Sequence, residues 1–332
     1  MQRRPGAVLF RFRQSRGGIK LKKAGATLNQ STGPLQIQIA SDLHIEFFDE
    51  TEDLNFLIEP KAPILALLGD VGYACTNQLR KFLLAQSERF EQVWFLAGNH
   101  EYYNHRDTEY SVTEQTAWLQ QVASERRNLH FLEKERTEFS FANGSVVVLA
   151  TTLWSDIPDN YLEEAERFLN DYHLSYNHLA NDTSPRLLRA IDTRQWYREN
   201  LDWLQSQLSS IYEQNKLRAQ KDYAQEAALQ TKVVVLTHHT PLMTGTSAPQ
   251  FEGMDSTHCF SSNLQNLLSQ PYSPIEVWAC GHTHYNFDLG VAQDNRSDGE
   301  SKLVRVVSNQ RGYKNRPKPE YRPDGVVLEI YP

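Results

Sequence analysis

Five short apolar runs, each followed within a few residues by side chains of metal-binding type, constrain this chain more than any other feature. LQIQIA precedes Ser41-Asp42-Leu43-His44, APILALL precedes Gly69-Asp70, and QVWFLA precedes Gly98-Asn99-His100-Glu101. KVVVL precedes Thr237-His238-His239, and IEVWAC precedes Gly281-His282-Thr283-His284. Each run is bounded and rich in β-branched or other large apolar residues, so each reads as a buried strand. A side chain just past a strand's C-terminal end projects into the crevice where open α/β sheets bind ligands. Asp42, His44, Asp70, Asn99, His238, His282 and His284 therefore form a candidate ligand set.

The spacing between these blocks predicts the connections. The first three lie roughly thirty residues apart, the length of a βαβ unit. Residues 76–90 read as a crossover helix, with Leu79, Phe82, Leu83 and Phe90 near one face. Residues 113–126 read as a second helix with Trp118, Leu119 and Val122 inward. The chain then changes character: LHFLE, EFSFA and SVVVLATTLW are strand-like, and Asn143-Gly144 between the last two is a hairpin signal. Antiparallel strands are thus added to a parallel start, which gives a mixed sheet or two packed sheets. Residues 155–189 read as an excursion over the site. Residues 193–212 read as an amphipathic helix carrying Trp196, Leu201, Leu204 and Leu208 on one stripe. Residues 213–231 either extend that helix or form a solvated insertion. Residues 311–324 read as loop, and GVVLEIY as a closing strand.

With 332 residues, 40% of them hydrophobic, the chain can bury one large core or two small ones. A net charge of −7 argues against a general nucleic-acid binder. The charge is uneven: residues 1–41 hold no Asp or Glu, but carry Arg3, Arg4, Arg11, Arg13, Arg16, Lys20, Lys22 and Lys23. Residues 1–34 are accordingly read as a disordered basic arm. A transit peptide is the rival reading, against which stand few Ser and no amphipathic repeat; a phosphate-backbone contact lacks interleaved aromatics. No secretory signal pattern and no membrane-length apolar stretch is present. Cys75, Cys259 and Cys280 are odd in number and form no CxxC pair, which fits reduced thiols and a cytoplasmic protein.

In order, SDLH, GD, GNHE, THH and GHTH reproduce the marks of a known group, and on these residues the chain resembles the calcineurin-like metallophosphoesterase superfamily. TTLWSD at 151–156, NDY at 170–172 and NQRGY at 309–313 are similar to pieces of bacterial members. Any one His alone reads as an ordinary hydrogen-bonded residue. Chance does not readily place seven ligand types behind five strands in family order. The resemblance implies an α/β fold of two packed mixed β-sheets flanked by helices, a four-layer α-β-β-α sandwich, over residues 35–332. Residues 155–189 and 213–231 would then be cap or insertion segments.

The resemblance also implies two divalent or trivalent metal ions; mixed nitrogen and oxygen donors suit Mn, Fe or Zn. Asp42, His44, Asp70 and His284 would hold the first ion. Asp70, Asn99, His238 and His282 would hold the second, with Asp70 bridging through its two oxygens. The implied reaction is hydrolysis of a small-molecule phosphate monoester or diester, by metal-bound hydroxide, with His100 protonating the departing alcohol. Asn99 and Arg311 are candidate substrate contacts, Arg311 for its fork geometry. His239, next to a ligand, is read as packing or as a support behind the ligands. In some branches a carboxylate just after the Gly-Asp block orients the acid His. Here Val71-Gly72-Tyr73 follows, so Asp156 is the suggested partner, and the departure counts against a calcineurin-type Ser/Thr phosphatase. Two rivals are a non-catalytic scaffold of the same fold and a nuclease of the superfamily. Against them stand the complete ligand set and the missing basic domain.

Overall fold

The computed structural model describes residues 33–105, 108–178, 184–221, 230–293 and 302–332; most of the basic arm lies outside them. Every strand expected before a ligand block is present: β1 (Leu35–Ala40), β2 (Ile64–Leu68), β3 (Gln92–Leu96), β9 (Thr231–Leu236) and β10 (Ile275–Cys280). Between them stand β4 (Leu129–Phe131), β5 (Glu135–Phe141), β6 (Gly144–Ala150) and the two-residue pair β7 (Tyr176–Asn177) and β8 (Arg186–Leu187). The chain closes with β11 (Asp288–Ala292), β12 (Leu303–Ser308) and β13 (Val326–Ile330).

These strands form two mixed sheets. The first has the order β13-β1-β2-β3-β4, and the second β11-β12-β10-β9-β6-β5. In the first, β1 to β4 run parallel and β13 is antiparallel. In the second, β6, β9, β10 and β12 run parallel, while β5 and β11 are antiparallel edges. The Asn143-Gly144 signal falls at the β5–β6 turn.

Parallel strands are buried on both faces, which explains the near-continuous apolar runs. Alternate residues serve different layers. Ile37, Ile39, Ala66, Leu68, Trp94 and Leu96 share one cluster with Val146, Val148, Val234, Leu236 and Ala279 of the other sheet. The intervening Leu65, Leu67, Val93 and Phe95 pack with Leu79, Phe82 and Leu83 of α1 (Asn77–Arg89) and Leu119 and Val122 of α2 (Val112–Ser124). Thr76 caps α1, and Ser111 with Glu114 forms a capping box on α2. Thus the molecule is a four-layer α-β-β-α sandwich.

Residues 155–189 hold the short helices α3 (Leu162–Phe168) and α4 (Asp171–Leu174) and the β7–β8 pair. The long helix α5 (Ala190–Lys221) begins before and ends well beyond the amphipathic stretch predicted for it. Leu204, Leu208 and Ile211 are buried, and Trp196 and Leu201 partly so. The charged residues after Tyr212 therefore continue the helix as far as Lys221. Residues 222–229 of the suggested insertion lie outside the described residues. The last short helix is α6 (Gln265–Ser269).

Candidate metal centre

Parallel β1, β2 and β3 in one sheet and β9 and β10 in the other end at the same rim of the sandwich. Their connecting turns are laced together beyond the strands. The Asp42 N–H donates to the Gly69 carbonyl at 3.0 Å and the His44 N–H to the Asp70 carbonyl at 3.0 Å. Across the second sheet, the Gly281 N–H donates to the His238 carbonyl at 2.9 Å. Five of the candidate ligands pay for their direction with left-handed backbone: Asp42 (φ 54°), His44 (φ 49°), Asp70 (φ 52°), His282 (φ 75°) and His284 (φ 50°). Such conformations cost on the order of 1–3 kcal/mol each and persist where the surroundings over-determine them.

The glycines before the ligands have a steric reason. A Cβ on Gly98 would lie 2.2 Å from Asp70 Oδ1 and 2.6 Å from His238 Nε2. Gly69 has φ +84°, and a Cβ there would lie 2.5 Å from His238 Nδ1.

The seven side chains converge into two groups that share Asp70. Ligand atoms of Asp42, His44, Asp70 and His284 lie within 4.8 Å of one another, as do those of Asp70, His238 and His282. In the first group His44 Nε2 is 2.9 Å from His284 Nε2 and 3.8 Å from Asp70 Oδ2, while Asp42 Oδ1 is 3.4 Å from His284 Nε2. In the second, His238 Nε2 is 3.1 Å from His282 Nδ1, 3.2 Å from Asn99 Oδ1 and 3.4 Å from Asp70 Oδ1. Asp70 thus turns one oxygen to each group.

Second contacts fix which ring nitrogens can act as ligands. His44 Nδ1 donates to Glu46 Oε1 at 2.9 Å, and His238 Nδ1 donates to the Leu68 carbonyl at 2.8 Å. Each Nε2 is therefore the ring nitrogen turned into the cluster. Carboxylate oxygens, an amide oxygen and imidazole nitrogens aimed at common points are a donor set that fits cations.

Electrostatics favour charged carboxylates there. Asp42 and Asp70 are 0% and 2% exposed. Burial works against their ionised forms, yet His284 holds the Asp42 carboxyl below its ordinary range, and His238 with His100 holds Asp70 well below it. Burial likewise opposes the charged form of His100, but Asp70 and Glu46 outweigh it and raise that imidazole to about 9.

Glu46 was not anticipated. Its Oε1 accepts from both His44 Nδ1 and His100 Nδ1 at 2.9 Å. The suggested partner Asp156 is exposed, and the structure places Glu46 on His100 instead. The available signal was a Glu two residues after His44, on the turn that leaves β1 rather than the one that leaves β2.

Three more residues brace the rim. Glu101, buried, accepts backbone N–H bonds from Gly98 (2.6 Å), Val71 (2.8 Å), Asp70 (2.9 Å) and Gly72 (3.3 Å). Burial, then the nearby Asp70, pushes its carboxyl up to about 7 against those donors. Gln310 Oε1 accepts from the His284 N–H at 2.6 Å, and Tyr313 lays its ring 4.5 Å from that of His44 and 4.7 Å from that of His284. The NQRGY segment thereby supports the GHTH turn.

Arg311 lies in that same segment. Its guanidinium lies 4.9 Å from the centre of the Phe48 ring and donates to the Gly312 carbonyl at 3.1 Å. The Arg311 N–H donates to the Ser41 carbonyl and the Gly312 N–H to the Asp42 carbonyl, which ties this backbone to the turn after β1. His239 packs 4.0 Å from the His282 ring and 5.4 Å from Trp154, a packing role.

Comparison with known proteins places this rim in context. The family description "Calcineurin-like phosphoesterase" matches residues 35–286. An uncharacterized protein of Acanthamoeba polyphaga mimivirus is 27% identical over 263 residues, 75% of this chain and 84% of that protein. The structure of phosphopantetheinyl hydrolase from Mycobacterium tuberculosis superposes with a TM-score of 0.58 at 16% identity, covering 91% of this chain and 98% of that one. That likeness is one of fold.

Proposed function

The chain belongs to the calcineurin-like phosphoesterase family, and from that premise we propose that it hydrolyses a small-molecule phosphate ester with two metal ions and His100 as proton donor. Asp42, His44, His284 and Asp70 Oδ2 would hold one ion; Asp70 Oδ1, Asn99 Oδ1, His238 and His282 would hold the other. Mn, Fe or Zn suits these mixed donors. When bound, such a pair polarises a phosphoryl oxygen and lowers the pKa of water toward about 7. The observation that carries the reading is the division of Asp70, one oxygen toward each group of donors.

The chain's own groups do the rest. Glu46 takes the His100 Nδ1 proton as a hydrogen bond, so Nε2 is the atom left to hand a proton to the leaving alcohol. At about 9, His100 keeps that proton at neutral pH. Asp42 also accepts from the His282 N–H with both oxygens at 3.1 Å, which locks the GHTH turn onto the first strand's end. Leu43 and Ile45, which flank His44 in the chain, are buried, as are Tyr102 and Trp154.

Residues 35–332 would form the catalytic domain. A cytoplasmic setting suits the three free cysteines; among the described residues no helix is long and apolar enough to cross a membrane. The test is hydrolysis of a chromogenic aryl phosphate monoester and of the matching diester with added manganese, alongside metal content. Asp70→Ala should lose both metal and activity, and full activity in that variant would refute the assignment.

A further inference from the structure

Asn99 presents an oxygen and a nitrogen on one flat amide of nearly symmetric outline, so its neighbours must decide which end faces the donors. On the far side, Asn99 Nδ2 donates to Asp171 Oδ1 at 2.7 Å and to the Tyr103 hydroxyl at 3.0 Å. The Tyr103 hydroxyl spends its own proton on the same Asp171 Oδ1 at 2.6 Å. Every group on that side is therefore an acceptor toward Asn99. A half-turn of the amide would set its oxygen against a carboxylate and take that oxygen away from His238 Nε2 and the second group of donors.

We propose that Asp171, with Tyr103, is the positioning residue that holds Asn99 with its oxygen toward the second metal. The inference rests on the two-metal reading above. Asp171 belongs to the NDY segment, and the structure gives that segment firm anchors. The neighbouring Tyr172 hydroxyl is 3.0 Å from Thr193 Oγ1 on α5, and the Leu174 carbonyl accepts from the Asn104 N–H at 2.7 Å. Asp171 itself is buried. The NDY segment thus delivers a buried carboxylate to one of the donors.

Manganese titration, followed calorimetrically and by electron paramagnetic resonance, tests this independently of turnover. Asp171→Asn offers an NH2 group toward Asn99 and so permits the half-turn. It should keep the first manganese and bind the second about 10–100-fold more weakly, the usual range for a group behind a ligand. Asn99→Asp sets two carboxylates face to face and should also weaken the second ion. Asn99→Asp combined with Asp171→Asn reverses the polarity of the bond while keeping an oxygen toward the metal, so it should recover most of the lost affinity. A merely structural role for Asp171 gives no such rescue. Wild-type affinity for both ions in Asp171→Asn, or a folded double variant no better than that single variant, overturns the inference. If Asp171→Asn does not fold, the double variant decides: two ions support the inference and one overturns it. A wild-type protein that takes up fewer than two manganese ions overturns the two-metal reading itself.

Discussion

Glu46→Ala removes one carboxylate that two imidazoles share, and the geometry lets its consequences be separated. Each lost bond joins an anionic oxygen to a ring N–H at 2.9 Å, and bonds of that kind contribute about 1.5–3 kcal/mol. On the His44 side the ring loses the contact that points Nε2 inward, which should weaken the first metal about 10–100-fold. On the His100 side two effects compete. His100 stands at about 9 against an ordinary 6.5, a difference of about 3 kcal/mol that Asp70 and Glu46 produce together against burial. Losing part of it leaves much of the ring protonated at pH 7, so charge alone costs little there. Misorientation of the ring should dominate, up to the about 10²–10⁴-fold contributed by a positioned acid. The sign with pH follows: the acid must carry its proton, so a lowered pKa moves the basic limb of kcat to lower pH. The assay is kcat at saturating manganese for esters of graded leaving-group acidity, across pH 6 to 10 (roughly the span over which a histidine acid titrates here). Poor leaving groups should suffer most, and adding His100→Ala should cost little more, because the two act as a unit. An unchanged basic limb with an unchanged leaving-group dependence would refute the role given to Glu46.

Three other perturbations are informative. Gly98→Ala forces a methyl to within 2.2 Å of Asp70 Oδ1; manganese affinity should fall sharply, since both groups of donors share that carboxylate. Glu101→Ala strands four backbone N–H groups, at about 1–3 kcal/mol for each that water does not reach, so urea denaturation should show a loss of at least about 3 kcal/mol. Arg311→Ala removes a guanidinium that packs on Phe48, so it should lower the melting temperature; if Arg311 only packs, KM for an aryl phosphate stays within the scatter of wild type, and a large rise in KM makes it a substrate contact.

The linear order of residues was enough to reveal the five strands before the candidate ligands, their parallel start, the β5–β6 hairpin and the closing strand, but not β11, β12 or the β7–β8 pair. These depend on period, on the length of a βαβ unit and on what lies just past a strand, which are local relations. α5 shows the limit: its apolar stripe predicts the middle of the helix, but the charged continuation to Lys221 carries no periodic signal. Tertiary structure decided what stands behind the donors. Glu46 reaches His100 across 54 residues, Asp171 reaches Asn99 across 72, and His44 meets His284 across 240. Arg311 has the chemistry of a phosphate contact, and only the fold shows that its backbone is tied to the β1 turn and its guanidinium lies over Phe48. A side chain's type is written in the chain; its partner depends on how separate turns are stacked at the rim, and no spacing along the sequence encodes that distance.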